Sequence, residues 1–228
     1  MRTVVYIDGL NLYYRRLKSS PKFRWLNPKA LCDSILAAPM VVERVNYYTA
    51  RVSSKLTPGG PAKQKAYLDA LATIPEISIH YGNFLFSQKW AALVRPPQAK
   101  PASFAWPPAL PELVLIEKAE EKGSDVNLAC HLVRDALTNA FDVAVVVTND
   151  TDLIEPIRIV RTEAGKVVGL LTPNGRPVKK QRGKWTGAHS RLTRAVDWTL
   201  HIHDAALLAS QFPSPIPGTS IHRPASWV

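Results

Sequence analysis

The chain has 228 residues, 46% of them hydrophobic, which supports one sizeable core and a single domain with additions. Lysine and arginine number 29 against 18 acids, a net charge of +11, so the surface is expected to attract polyanions, nucleic acid first among them. The two cysteines form no CxxC and no run nears the ~20 apolar residues of a membrane span, which argues against a disulfide scaffold, a thiolate zinc site and a spanning protein.

The opening "MRTVVYIDGLNLYY" carries Asp8 where a secretory signal would run apolar, so a cytoplasmic protein is expected. Residues 3–8, "TVVYID", read as a buried strand that turns at Gly9 into a helix over 10–18. Asn27 followed by Pro28 is an N-cap with proline at the first helical position, starting a helix through Ala37. Residues 43–52 read as a second strand, 60–74 as a helix and 76–84 as a third strand. Six prolines between Arg95 and Pro111 mark an insertion or loop.

After a short strand at 112–118 and the charged "AEEKGSD", a helical stripe runs through Val126, Ala129, Cys130, Val133, Leu137 and Ala140. On that stripe Cys130 is a small core residue. The run "DVAVVVT" at 142–148 is the most strand-like in the chain, followed by a helix over 152–162 and a buried strand at 166–172. A basic loop at 173–191 leads into one amphipathic helix through Leu192, Val196, Leu200, His203 and Leu207. Within that helix His201 and His203, two apart, face different ways and make a poor metal pair. The proline-rich tail at 211–228 is expected to be irregular. Strands alternating with helices imply an α/β fold, a mainly parallel sheet covered on both faces.

Sites in such sheets form beyond the carboxyl ends of the strands. Asp8 ends the first strand, Asp150 and Asp152 follow the "VAVVV" strand, and Asp125 opens the helix after "EEKGS". Asn11, a turn into the first helix, is placed to point at the same rim. Singly, each acid suits a helix cap. Together they exceed what caps need, and two carboxylates ~5 Å apart repel by about 3 kcal/mol at an effective dielectric of 20. A hard divalent cation, Mg²⁺ or Mn²⁺, removes that conflict.

The segments "YIDGLNLYY", "EKGSDVNL" and "VVVTNDTDLIEPIR", in that order over residues 2–172, resemble the NYN domain family, PIN-like nucleases whose bacterial branch is called LabA-like. The resemblance implies a three-layer α/β/α sandwich over residues 1–210 and a metal-dependent ribonuclease site. It places Asp8 and Asn11 in the first motif, Asp125 in the second, and Asp150 with Asp152 in the third. Thr151 stands where relatives often carry glycine, and the helix near 195–206 is matched to the family's closing helix. The expected mechanism is hydrolysis of RNA phosphodiesters, with Asp8, Asp150 and Asp152 as metal ligands, Asp125 as a direct or water-mediated one, and Asn11 orienting a water or phosphate oxygen.

Positive charge around such a site is expected from Arg176, Lys179, Lys180, Arg182 and Lys184, with Trp185 available to stack on a base. Arg15, Arg16 and Lys122 are nearer candidates for phosphate contact. The rival from another class is a non-catalytic RNA-binding module with the same fold. A haloacid-dehalogenase phosphatase would carry its Asp-x-Asp after the first strand, and a dinucleotide-binding enzyme would need GxGxxG where "DGLN" stands.

Overall fold

The computed structural model of the protein describes residues 1–55, 57–99, 103–174 and 189–228. Seven strands form one sheet in the order β4-β3-β2-β1-β5-β6-β7. They are β1 (Arg2–Asp8), β2 (Val41–Ala50), β3 (Ile77–Ala92), β4 (Leu113–Lys122), β5 (Val143–Val147), β6 (Val167–Thr172) and β7 (Trp198–His201). All neighbours are parallel except β3 and β4. The helices are α1 (Gly9–Leu12), α2 (Pro28–Ile35), α3 (Gly60–Leu71), α4 (Ser124–Leu137), α5 (Ile154–Thr162), α6 (Ser190–Ala195) and α7 (Asp204–Ala209). The α1 helix continues directly into a π turn over Tyr13–Leu17.

The two central strands are apolar on both faces because both faces are covered. On one side Val5, Ile7, Val145 and Val147 pack with Leu12, Leu31, Leu68 and Leu207 from α1, α2, α3 and α7. On the other, Val4, Tyr6, Ala144 and Val146 pack with Leu128, Leu132, Ile157 and Leu192 from α4, α5 and α6. Each such aliphatic side chain contributes roughly 1.5–3 kcal/mol on burial, so these layers fix the height of the strand ends. Asn27 caps α2 by accepting from Ala30 N at 3.1 Å, with Pro28 at the first helical position, as the sequence predicts.

Several expectations need correction. The α4 helix buries Leu128, Leu132, Asp135 and Ala136, while Val126 and Leu137 are exposed and so is Cys130. Apolar residues lie all round α4, so more than one stripe fits its periodicity, and packing against α5 and β1 selects another. The single amphipathic helix after 191 is instead α6, β7 and α7. Val196, Trp198 and Leu200 are strand-formers, and β7 pairs in parallel with β6 from Gly169↔Trp198 to Thr172↔His201. His201 therefore ends a strand, and His203 precedes the first residue of α7.

The β3 strand has 16 residues and runs eight residues past its expected end at Phe84. Residues 77–82 pair with β2, and from Asn83 to Ala92 the strand pairs only with β4, forming a two-stranded ribbon. The insertion between them contains no helix or strand among its described residues. The tail packs rather than straggles: Phe212, Ile216 and Trp227 are buried in the core layer with Trp25, whose ring meets Phe212 at 5.8 Å and Trp227 at 6.3 Å. No helix among the described residues is long and apolar enough to cross a membrane.

Behind the sheet's rim lies a buried polar layer. Asp135 accepts from Tyr6 Oη at 2.8 Å and from Arg44 at 2.7 Å, and Arg134 closes the other carboxylate oxygen at 2.6 Å. Beside it, Tyr48 stacks on His80 at 4.8 Å and hydrogen-bonds His131 Nδ1 at 3.0 Å. This network ties α4 to β1, β2 and β3.

Candidate active site

Parallel pairing of β1 with β5, in register from Thr3↔Val143 to Ile7↔Val147, brings Asp8 and Thr148 out side by side at the carboxyl edge. Asp8 is buried, at 4% exposure, yet both its oxygens have donors. Oδ1 accepts from Asn11 N at 2.9 Å, capping α1, and Oδ2 accepts from Thr148 Oγ1 at 3.0 Å. Thr148 Oγ1 in turn accepts from Asp150 N at 3.0 Å, and Asp150 Oδ1 accepts from Asp152 N at 3.0 Å. One hydrogen-bond chain therefore links Asp8, Asp150 and Asp152. Asn11 closes the rim by accepting from Asn149 N at 3.1 Å, and Asn149 Oδ1 accepts from His189 N at 2.9 Å.

The opposite wall comes from the end of β4 and the start of α4. Phe84 pairs with Glu121, so both side chains lie on one face of the ribbon, while Glu120 and Lys122 lie on the other. Gly82 leaves room for the Glu121 carboxylate to cross. A Cβ there would meet that carboxylate, Lys122 O at 2.7 Å and Ser124 N at 2.8 Å. Gly123, at φ 97, supplies the left-handed turn into α4. Across this turn Glu121 Oε1 accepts from Ser124 N at 3.0 Å.

The result is a cleft of about 220 Å³ on which Asp8, Asn11, Arg15, Glu121, Asp125 and Asp150 all border. Burial, with Asp125 and Asp150 nearby, pushes Asp8 up to about 7 against the opposing hydrogen bonds from Asn11 and Thr148. Burial first, then the charges of Asp150, Glu121 and Asp152, raise Asp125 to about 6. Asp152 thus acts on the cleft electrostatically without lining it.

The donor set suits a hard divalent cation: carboxylates on both walls, mutually repelling, and the Ser124 hydroxyl buried among them with no hydrogen-bond partner among the described residues. As the side chains stand, no three His, Cys, Asp or Glu among the described residues form a group that could hold a metal ion. Asp8, Asp150 and Glu121 each serve a local backbone donor.

The candidate phosphate contacts separate. Arg15 borders the cleft. Arg16 is turned toward α7, paired with Asp204 and lying 5.5 Å from the Phe23 ring centroid. Lys122 sits on the far face of the ribbon, 3.4 Å from Glu120. Arg176, Lys179, Lys180, Arg182, Lys184 and Trp185 lie outside the described residues. Glu121, Thr148 and Ser124 were not anticipated from sequence. Glu121 stands in the charged run "EKAEEK", whose alternation carries no signal for an inward acid.

Comparison with known proteins finds relatives of the chain. The family model described as NYN domain matches residues 2–182. The curated 6-hydroxy-3-succinoylpyridine 3-monooxygenase HspA of Pseudomonas putida is 29% identical over 248 residues, spanning 100% of this chain and 75% of that protein. A crystal structure of a protein of unknown function from Vibrio parahaemolyticus RIMD 2210633 superposes with a TM-score of 0.49 at 13% identity, over 89% of this chain and 93% of the other.

Proposed function

This chain belongs to the NYN domain family, a nuclease-like family, and from that premise we propose that it is a metal-dependent ribonuclease acting at the acidic cleft. The observation that carries the reading is the meeting of Asp8, Glu121, Asp125 and Asp150 around one cleft on a strongly basic protein. Asp8, Asp125 and Asp150 would hold one or two Mg²⁺ or Mn²⁺ ions, with Glu121 added to the donor set, while Asp152, expected as a ligand, contributes its charge from outside the cleft wall. Such an ion supplies Lewis acidity for water and phosphate oxygen.

The chain's own residues do the rest. Thr148 and the Asn11 amide hold the Asp8 carboxylate in one orientation, and Asn11 anchors the loop that carries Asp150. Burial holds the Asp8 proton up to about pH 7, so a cation binding there at neutral pH would displace it. Arg15 at the cleft and the cations of residues 176–184 draw in the phosphate backbone, by charge that the acids alone would repel.

The name of the Pseudomonas relative points to oxidation of a pyridine. Carboxylates around a cleft and a run of cations without acids are features of phosphate-ester hydrolysis, and the nuclease reading is the one kept. The test is incubation of labelled RNA with the protein in Mn²⁺, in Mg²⁺ and in EDTA. Cleavage that needs metal and disappears in Asp8→Asn and Asp150→Asn is expected. RNA binding without cleavage in any metal would replace the enzyme by a binding module.

A further inference from the structure

A second cavity of about 230 Å³ lies beside the acidic cleft, between the π turn after α1 and helix α3. The two share a wall, since Leu10 and Tyr14 border both. Their chemistry is opposite. Among the described residues no Asp or Glu lines this second cavity, whereas four acids border the cleft. Its walls are aromatic, from Tyr13, Tyr14, Tyr47 and Tyr67, with Trp227 of the tail beside them. Tyr47 and Tyr67 are held edge to face at 6.2 Å, and Tyr67 and Trp227 also at 6.2 Å, so the deep wall is rigid.

Three cations border the same space, Lys18, Arg24 and Lys63. Lys18 Nζ lies 4.8 Å from the Tyr14 ring centroid, and the Arg24 guanidinium is 5.9 Å from that of Tyr13. Arg24 is fixed there by donating to Leu17 O at 3.3 Å and to Lys18 O. Among the described residues none of the three has a carboxylate partner. Unpaired cations around aromatic walls are suited to a planar ring that bears an anion.

We propose that this cavity takes one nucleobase of a single-stranded RNA, with the attached phosphate held between its cations and the acidic cleft. The proposal rests on the nuclease reading of the neighbouring cleft and adds a base-binding subsite to it. A base can reach the aromatic walls only when it is out of the helical stack, so the substrate is a loop or single strand and not a continuous duplex. The shared Tyr14 wall puts the accepted nucleotide next to the phosphate that meets the carboxylates. Because no acid lines the cavity, nucleotide binding there needs no divalent ion, unlike cleavage.

Isothermal titration in EDTA with the four nucleoside 5′-monophosphates, inorganic phosphate and nicotinate tests this. At least one mononucleotide is expected to bind tenfold or more tightly than inorganic phosphate. The Lys18→Gln/Lys63→Gln double variant, which changes two cations outside the buried core, should lose tenfold or more of that affinity with an unchanged melting temperature. Asp150→Asn should retain it. Equal binding of phosphate and mononucleotides, unchanged binding by the double variant, or binding of nicotinate alone would each overturn the proposal. Mononucleotide binding without metal-dependent cleavage would sink the nuclease reading and leave the pocket. Cleavage without mononucleotide binding would do the reverse.

Discussion

Replacing Asp8 by Asn separates the stability of the acidic rim from its chemistry. The folded protein holds the Asp8 proton up to about pH 7, while an unfolded aspartate releases it near its ordinary value of 3.8. Between these limits the native state binds more protons, so stability is fully present below about pH 4 and falls as pH rises. At about 1.4 kcal/mol per pH unit the burial of Asp8 removes roughly 4 kcal/mol by pH 8, of which roughly 2.5 accrues above pH 5. The amide does not titrate, and its oxygen still accepts from Asn11 N. Its nitrogen cannot accept from Thr148, a loss of about 1–2 kcal/mol.

Asp8→Asn is therefore expected to be about 2 kcal/mol more stable than the parent at pH 8, and about equal to it at pH 5. Urea denaturation of both proteins in EDTA at the two pH values measures this, and comparing them at each pH cancels the contribution of the histidines. Metal-dependent cleavage should vanish in the variant throughout. A variant less stable than the parent at pH 8, with the same dependence on pH, would refute the electrostatic reasoning about the cleft.

Gly82→Ala drives a methyl into the Glu121 carboxylate and the Lys122 and Ser124 backbone, and should cost roughly 2 kcal/mol or more through lost capping and overpacking. Thermal melts would show it, and an unchanged melting temperature would mean that the turn relaxes freely. Burial lowers both His80 and His131, helped by Arg134 and Arg44 and, for His80, by the neighbouring His131, with Asp135 opposing. Lowered values mean that the folded state binds fewer protons than the unfolded chain, so this contribution to stability is lost as pH falls below about 6.5. Proton NMR titration should give imidazole midpoints below the ordinary value, and midpoints at or above it would contradict the burial argument. Changing Lys179, Lys180 and Arg182 to Gln should weaken RNA binding and reduce the slope of log K against log salt by about 2, at about 0.7 for each phosphate contact to a single strand. An unchanged slope would take these cations out of the interface.

What the sequence discloses depends on whether one physical constraint dominates a segment. The β1 and β5 strands are buried on both faces, so their apolar runs and the acids at their ends could be read directly, and with them Asp8 and Asp150. At α4 the constraint is divided. Val126, Leu128, Ala129, Cys130, Leu132, Val133, Ala136 and Leu137 offer several faces, and only packing against α5 and the sheet decides that Leu128 and Leu132 go in. The four residues of β7 are too few for alternation to stand against the helical spacing of Leu192, Val196 and Leu200. Glu121 sat inside a charge run of the kind that usually faces water. Its inward direction comes from pairing with Phe84, a long-range fact. The aromatic cavity was equally hidden, since Tyr13, Tyr47, Tyr67 and Trp227 meet only in three dimensions.

The tail that seals Trp25 has a consequence for biosynthesis. Leu26 bridges to Gln211, Phe212 N donates to Trp25 O at 2.9 Å, and Trp227 completes the cavity wall beside Tyr67. A ribosome makes Trp25 early and Trp227 some two hundred residues later, so the nascent chain has its acidic rim well before the aromatic compartment next to it can close. During that interval the polypeptide carries the carboxylates without the finished cradle beside them.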